Sequence, residues 1–249
     1  MCGFGHNEGG LYLLKQRPGR RFEKQVVKAI PGATQVITGD FNHDGWPDFM
    51  ALFAHADEGI RLFTNDRNGG FRERNLLTFP PVYGSTSFQL ADFNRDGLPD
   101  IVYTCGDNSD YSRILKPYHG VYLFTNQGGN RFKQTYFYPI DGCTKAVAAD
   151  FDGDGDTDLA TIAFFADFQE KPDRTFLYFE QKGPSQFQPH AVPVHTYGRW
   201  LCLDAGDWDH DGDPDLVLGN YARGFLNEPG FEPVWNRSLP LIVLENRTR

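Results

Sequence analysis

The chain has 249 residues, 40% hydrophobic and 23% charged, with a formal net charge of −9. This is the composition of one large globular domain or two small ones. It contains no run of 18 apolar residues to span a membrane and no basic patch for nucleic acid. Four cysteines (Cys2, Cys105, Cys143, Cys202) are too sparse for a disulfide scaffold and lack the spacing of a zinc site, and the start "MCGFGHNEGG" shows no signal peptide.

With 22 Phe, 11 Tyr, 27 Gly and 16 Pro, the chain favours short strands and tight turns over long helices. In chain order, "GLYLLKQRPGRRF" (10–22) is a hairpin signal: an apolar strand, a turn, and an answering aromatic. "DFNHDGWPD" (40–48) follows, led in by "TQVITG" and out by "FMALFA"; both flanks are β-rich and read as strands. A second hairpin is "GIRLFTNDRNGGF" (59–71). The acidic loop then returns as "DFNRDGLPD" (92–100), "DFDGDGDTD" (150–158) and "DWDHDGDPD" (207–215), with hairpins "GVYLFTNQGGNRF" (120–132) and "TFLYFEQKGPSQF" (175–187) between them. Successive loops start 52, 58 and 57 residues apart, which is the mark of a repeat architecture.

The shared frame is D-aromatic-[DN]-x-D-G-x-x-D-apolar. A hard divalent cation such as calcium takes six to eight oxygens. Side chains at loop positions 1, 3 and 5 can converge on one point, the glycine at 6 allows a sharp turn, position 7 can offer its backbone carbonyl, and position 9 adds a closing carboxylate. The ligand set so read is Asp40, Asn42, Asp44, Trp46 and Asp48; Asp92, Asn94, Asp96, Leu98 and Asp100; Asp150, Asp152, Asp154, Asp156 and Asp158; and Asp207, Asp209, Asp211, Asp213 and Asp215, for about four Ca2+. The first half matches EF-hand loop logic; the closing acid at position 9 and the strand flanks do not. Fourteen aspartates at positions 1, 3, 5 and 9 outnumber the whole net charge, so the acidity is mostly metal-site acidity.

Each repeat reads as four antiparallel strands: A into the loop, B out of it, then the hairpin pair C and D. Four strands in about 50 residues predicts an all-β propeller of four-stranded antiparallel blades, with the calcium loops between strands A and B. The aromatic at loop position 2 (Phe41, Phe93, Phe151, Trp208) is expected to pack in the core. The predicted organisation is a partial blade 1–30, blades 31–82, 83–141 and 142–196, and a partial blade 197–249. "MCGFG" lacks an A strand, and "LIVLENRTR" lacks a D strand, so two broken blades do not make one whole. The expectation is a partial ring of about five blades, the C-terminal part of a longer chain with further blades and a signal peptide N-terminal to Met1. A small five-bladed ring that closes imperfectly is the alternative.

The four loops resemble the calcium-binding loops of FG-GAP and VCBS-type repeats, found in the propeller heads of integrin α subunits and in many secreted bacterial proteins. The resemblance implies that Asp40, Asn42, Asp44 and Asp48, with their counterparts, bind calcium. The Phe-Gly and Gly-Ala-Pro words that name the repeat are absent or degraded, and the chain as a whole looks more like a bacterial FG-GAP-like protein.

With the loops assigned to structure, function is sought on the opposite face, in the B–C and D–A loops. Candidates there are His55, Asp57, Asp107, Asn108, Asp110, Tyr111, His119, Tyr221 and Arg223, beside His6 and Glu8. Cys105 and Cys143 fall on that face in adjacent blades and are expected to pair as a disulfide; Cys2 and Cys202 lie in predicted strands and are expected to be buried thiols. The leading reading is a non-catalytic binding module for a protein or carbohydrate ligand, with Tyr83, Tyr111, Tyr118, Tyr197 and Tyr221 available to stack on sugars. The alternative is a carbohydrate-active enzyme of lyase or dehydratase type, using His119 with Asp107 or Asp110, and Arg223. Loops without a closing bidentate glutamate should bind calcium at about 10⁻⁴–10⁻³ M, which points to an extracytoplasmic location, secreted, periplasmic or cell-surface.

Overall fold

The computed structural model describes residues 1–5, 7–109, 114–222 and 230–248. Among them, regular structure is all β apart from two short 3-10 segments, Pro81–Tyr83 and Pro172–Thr175. Eighteen strands form five sheets in chain order. Sheet I holds β1 (Cys2–Gly3), β2 (Gly10–Arg17) and β3 (Arg21–Lys28). Sheet II holds β4 (Ala33–Gly39), β5 (Asp48–Phe53), β6 (Gly59–Asn65) and β7 (Phe71–Thr78). Sheet III holds β8 (Ser85–Ala91), β9 (Asp100–Cys105), β10 (Gly120–Asn126) and β11 (Phe132–Pro139). Sheet IV holds β12 (Cys143–Ala149), β13 (Asp158–Ala163), β14 (Phe176–Gly183) and β15 (Gln186–Ala191). Sheet V holds β16 (Trp200–Gly206), β17 (Asp215–Asn220) and β18 (Leu241–Leu244). Neighbouring strands run antiparallel and meet in sequence order.

The sequence explains which strand sits where. β5 (DFMALF), β9 (DIVYTC) and β13 (DLATIA) are nearly unbroken apolar runs, so they are central strands covered on both faces and almost wholly buried. β7 (FRERNLLT) and β11 (FKQTYFYP) carry charge and lie at the outer edge, where polar side chains discourage further pairing. Each acidic loop joins the first two strands of its sheet, and its position 9 aspartate opens the second: Asp48, Asp100, Asp158 and Asp215 are the first residues of β5, β9, β13 and β17.

The chain divides into two compact units, Met1–Ser87 with Gln127–Phe132, and Phe88–Asn126 with Lys133–Arg249. In the first, Leu11, Ala33, Ala51, Phe53 and Phe63 form the buried cluster. In the second there are two clusters, one around Phe93, Val102, Leu123, Leu159 and Phe179, the other around Phe151, Ile162, Phe176, Trp200 and Leu218.

Three expectations need correction. Trp208 is 68% exposed, whereas Phe93 and Phe151 are buried; those two pack in clusters that include residues of the sheet that follows in sequence, and among the described residues Trp208 belongs to no such cluster. Cys202 is exposed rather than buried, next to a register shift between Trp200 and Cys202 in β16. Cys105 and Cys143 are not bridged: both are buried thiols. The Cys105 thiol donates to Tyr118 O at 3.2 Å, while burial, and then the neighbouring Cys105, push the Cys143 thiol well up.

Candidate metal centres and the opposite loops

The first three acidic loops are wound around the carboxylate at position 1. In loop 40–48, Asp40 accepts from Asp44 N (3.0 Å) and Gly45 N (2.8 Å). In loop 92–100, Asp92 accepts from Asp96 N (3.1 Å) and Gly97 N (2.8 Å). In loop 150–158, Asp150 accepts from Gly153 N (2.8 Å) and Gly155 N (3.0 Å). The position 5 carboxylates Asp44, Asp96, Asp154 and Asp211 accept from the amide of position 7, that is from Trp46, Leu98, Asp156 and Asp213. Two backbone residues per loop are left-handed. Position 6 is always glycine, at φ 81, 81, 89 and 97°; position 4 is His43, Arg95, Gly153 and His210, at φ 58, 60, 75 and 65°. The strain at position 4 was legible only in the glycine at 153.

The position 9 aspartates have a second task. Asp48, Asp100, Asp158 and Asp215 are at most 1% exposed. In every copy Oδ2 accepts from the amide of position 2 (Phe41, Phe93, Phe151, Trp208), at 2.7 to 3.2 Å. Oδ1 accepts at 2.8 Å from the amide at the end of the third strand of the sheet, Asn65, Asn126, Gln181 or Asn246. One carboxylate thus pins the loop to the hairpin. A carboxylate has about four lone-pair sites, so acceptor capacity remains for a cation.

Two groups of carboxylates offer oxygens within 4.8 Å of one another, Asp150 with Asp152 and Asp154, and Asp207 with Asp209 and Asp215. In the first two loops an asparagine replaces one acid, and Asn42 and Asn94 donate to Asp44 (3.1 Å) and Asp96 (2.9 Å). In the last two loops position 7 is also acidic. Asp213 is 5% exposed and neither of its carboxylate oxygens has a donor; Asp156 Oδ1 is likewise unpartnered. Burial, and then the neighbouring Asp154, Asp158 and Asp152 charges, push Asp156 up to about 6; burial and Asp211 raise Asp213. Crowded carboxylates without donors fit a bound cation, which supplies the missing charge.

At the other ends of the strands the predicted ligand residues have separate partners. His55 meets the ring of Phe4 edge-on at 5.7 Å, and Asp57 is engaged by Arg61. Arg61 is itself buried and also pairs with Glu73 at 2.6 Å. Asp107 is exposed and caps its own turn through Ser109 N at 2.9 Å; Asn108 is buried. His119 is 1% exposed, its Nε2 has no partner, and burial, then Lys116, lower its pKa to about 4. Tyr197 and Tyr221 are exposed. His6, Asp110, Tyr111 and Arg223 lie outside the described residues. Sequence reasoning missed Arg199, which is 4% exposed, lies 3.6 Å from the Phe164 ring and donates from Nε to Phe164 O at 2.9 Å. The run Phe164-Phe165-Ala-Asp-Phe168 was the available signal for a buried cation–π site.

These features define a class: an all-β repeat protein in which four of the five antiparallel sheets among the described residues hang on an acidic turn between their first two strands. Residues 40–103 and 109–161 match the FG-GAP-like repeat, so the chain carries FG-GAP-like repeats. It is 29% identical over 153 residues to integrin alpha-7 of Homo sapiens, an alignment covering 55% of this chain and 12% of that protein. Among solved structures, the V. cholerae biofilm matrix protein Bap1 aligns with a TM-score of 0.47 at 16% identity, over 86% of this chain and 28% of that one.

Proposed function

We propose that the chain is a calcium-stabilised β-propeller module that works outside the cytoplasm and binds a protein or glycan through the loops opposite its acidic turns. In this reading residues 31–82, 83–141 and 142–196 are three blades, and 1–30 and 197–249 are parts of two more. About four Ca2+ are held, one per loop, by positions 1, 3, 5 and 9, with the Asp156 and Asp213 side chains added in the last two. The observation that supports this most is Asp213, a buried carboxylate without a donor among four neighbouring acids of its own loop. When bound, the ion neutralises that charge; the chain's own residues set the turn and tie it to the third strand.

Sites of this type bind at about 10⁻⁴–10⁻³ M, a range filled by extracellular calcium. The ligand reading rests on the exposed Tyr197 and Tyr221 and the exposed Asp107 at the opposite ends of the strands. Exposed tyrosines offer flat apolar area with a polar tip. Calcium-loaded protein on a glycan array and a cell-surface protein panel, with Tyr221→Ala in parallel, tests it. A ligand retained by the parent and weakened at least tenfold in the variant is expected; equal retention by both would remove this face from the reading.

A further inference from the structure

Loops 40–48 and 92–100 are a matched pair. Both carry Asp, Asn, Asp and Asp at positions 1, 3, 5 and 9. Their position 5 carboxylates are held alike: Asp44 and Asp96 each accept from the position 7 amide on Oδ1 and from the position 3 asparagine on Oδ2. One contact separates them. Arg67 Nη2 lies 2.9 Å from Asp44 Oδ2, the same oxygen that accepts from Asn42. Among the described residues no basic side chain forms an ion pair with Asp92, Asp96 or Asp100, nor with the ligand aspartates of the last two loops. Arg95, Lys182 and Arg247 act on those last two loops at longer range, and Lys182 and Arg247 are paired with Glu180 and Glu245.

The backbone puts Arg67 there. Asn65 ends β6; its amide donates to Asp48 Oδ1 at 2.8 Å and its Nδ2 to Pro47 O at 3.3 Å. Its own Oδ1 accepts from Arg67 N at 2.8 Å. The turn that carries Arg67 is thus tied to the loop by the same residue that closes the sheet. Counted from the equivalent strand-end amides of Asn126, Gln181 and Asn246, the other three sheets have Gly128, Gly183 and Thr248 at this place, and none of these brings a charge. Arg67 sits at φ 62° and Gly128 at φ 86°, a left-handed backbone that favours glycine, so the arginine stands there against local preference.

We propose that Arg67 is a built-in counter-cation of loop 40–48, which calcium must displace from Asp44 to use that carboxylate. The inference rests on the calcium reading above and adds an order of filling to it: of two loops with the same ligands, 92–100 loads first and 40–48 only at higher calcium. The guanidinium already offsets the Asp44 charge, and once displaced it stays close enough to repel the incoming ion. The pair is half-exposed, so the effect is modest, an affinity lowered roughly two- to fivefold. Filling the site frees a guanidinium on the turn 65–70, so this turn changes its charge partner with calcium.

The amide resonances of Gly45, Gly97, Gly155 and Gly212, the position 6 glycines, report the four loops separately in a calcium titration. In the parent the Gly45 midpoint should lie roughly two- to fivefold above that of Gly97. Arg67→Gly installs the residue that sheets III and IV have at this place; it should bring the Gly45 midpoint down to that of Gly97 and leave the other three unmoved. Arg67→Lys keeps the charge and should stay close to the parent. Coincident Gly45 and Gly97 midpoints in the parent, or equal shifts in Arg67→Gly and Arg67→Lys, would overturn the proposal while leaving calcium binding intact. Four glycines that never respond would overturn the calcium reading and the proposal with it.

Discussion

Asp100 is fully buried and both of its carboxylate oxygens accept from backbone amides, Phe93 N and Asn126 N. In Asp100→Asn one of those amides would face an NH2 group. The variant should lose about 2 kcal/mol in urea unfolding even with EDTA present, because a buried donor is left without an acceptor. Asp96 is exposed and makes only local contacts, so Asp96→Asn should unfold like the parent in EDTA and fall behind only when calcium is added. Equal losses for the two variants in EDTA would contradict the distinction. His119 is the second case. Its folded pKa is lowered to about 4 by burial, while the unfolded chain takes up the proton near the ordinary histidine value of about 6.5. Its contribution to stability is therefore complete above pH 6.5 and is lost as pH falls towards 4. Urea midpoints of the parent and His119→Phe should diverge below pH 6.5, the parent falling faster; parallel profiles would rule this out. Spacing alone gave the loop frame at this scale. It did not give the double duty of position 9, because a ligand and a hydrogen-bond staple call for the same carboxylate. Nor did it separate buried His119 from exposed Asp107, since both stand in loop sequence.

At the scale of elements, the strands were legible because hairpin turns and the alternation of apolar and polar runs recur with the loops. What was not legible is how one repeat is tied to the next. Gln181, at the end of β14, accepts from Thr157 N at 2.9 Å in its own sheet's loop and donates to Phe93 O at 2.8 Å in the preceding one. Asn246 reaches Phe151 O at 2.7 Å in the same way, and Asn130 reaches Phe41 O at 2.7 Å from a neighbouring turn. A polar residue ending a strand reads as an ordinary turn residue, and nothing local marks its partner about 90 residues away. Gln181→Leu keeps the volume and strands both partners, so it should cost about 2 kcal/mol, whereas exposed Gln188→Leu should stay within about 0.5 kcal/mol. Chemical denaturation of the two variants checks this; similar midpoints would show that the link between sheets is carried by packing alone.

For the whole molecule, the acidic loops connect folding to the surroundings. The chain carries a net charge of −9, and its carboxylates are concentrated in four turns, two of which hold an acid without a donor. Like charges so placed oppose the compact state, and a bound cation would offset them. No helix among the described residues is long and apolar enough to cross a membrane. Calcium that binds the folded form alone stabilises it by about 2.7 kcal/mol per site at a hundred times the dissociation constant. The measurement that bears most directly on the account is thermal unfolding with and without calcium, paired with the count of ions taken up at equilibrium. The account predicts about four Ca2+ per chain and a melting temperature at least about 5 °C higher in 10 mM calcium than in EDTA. A chain that takes up no calcium and melts at one temperature in both would contradict it.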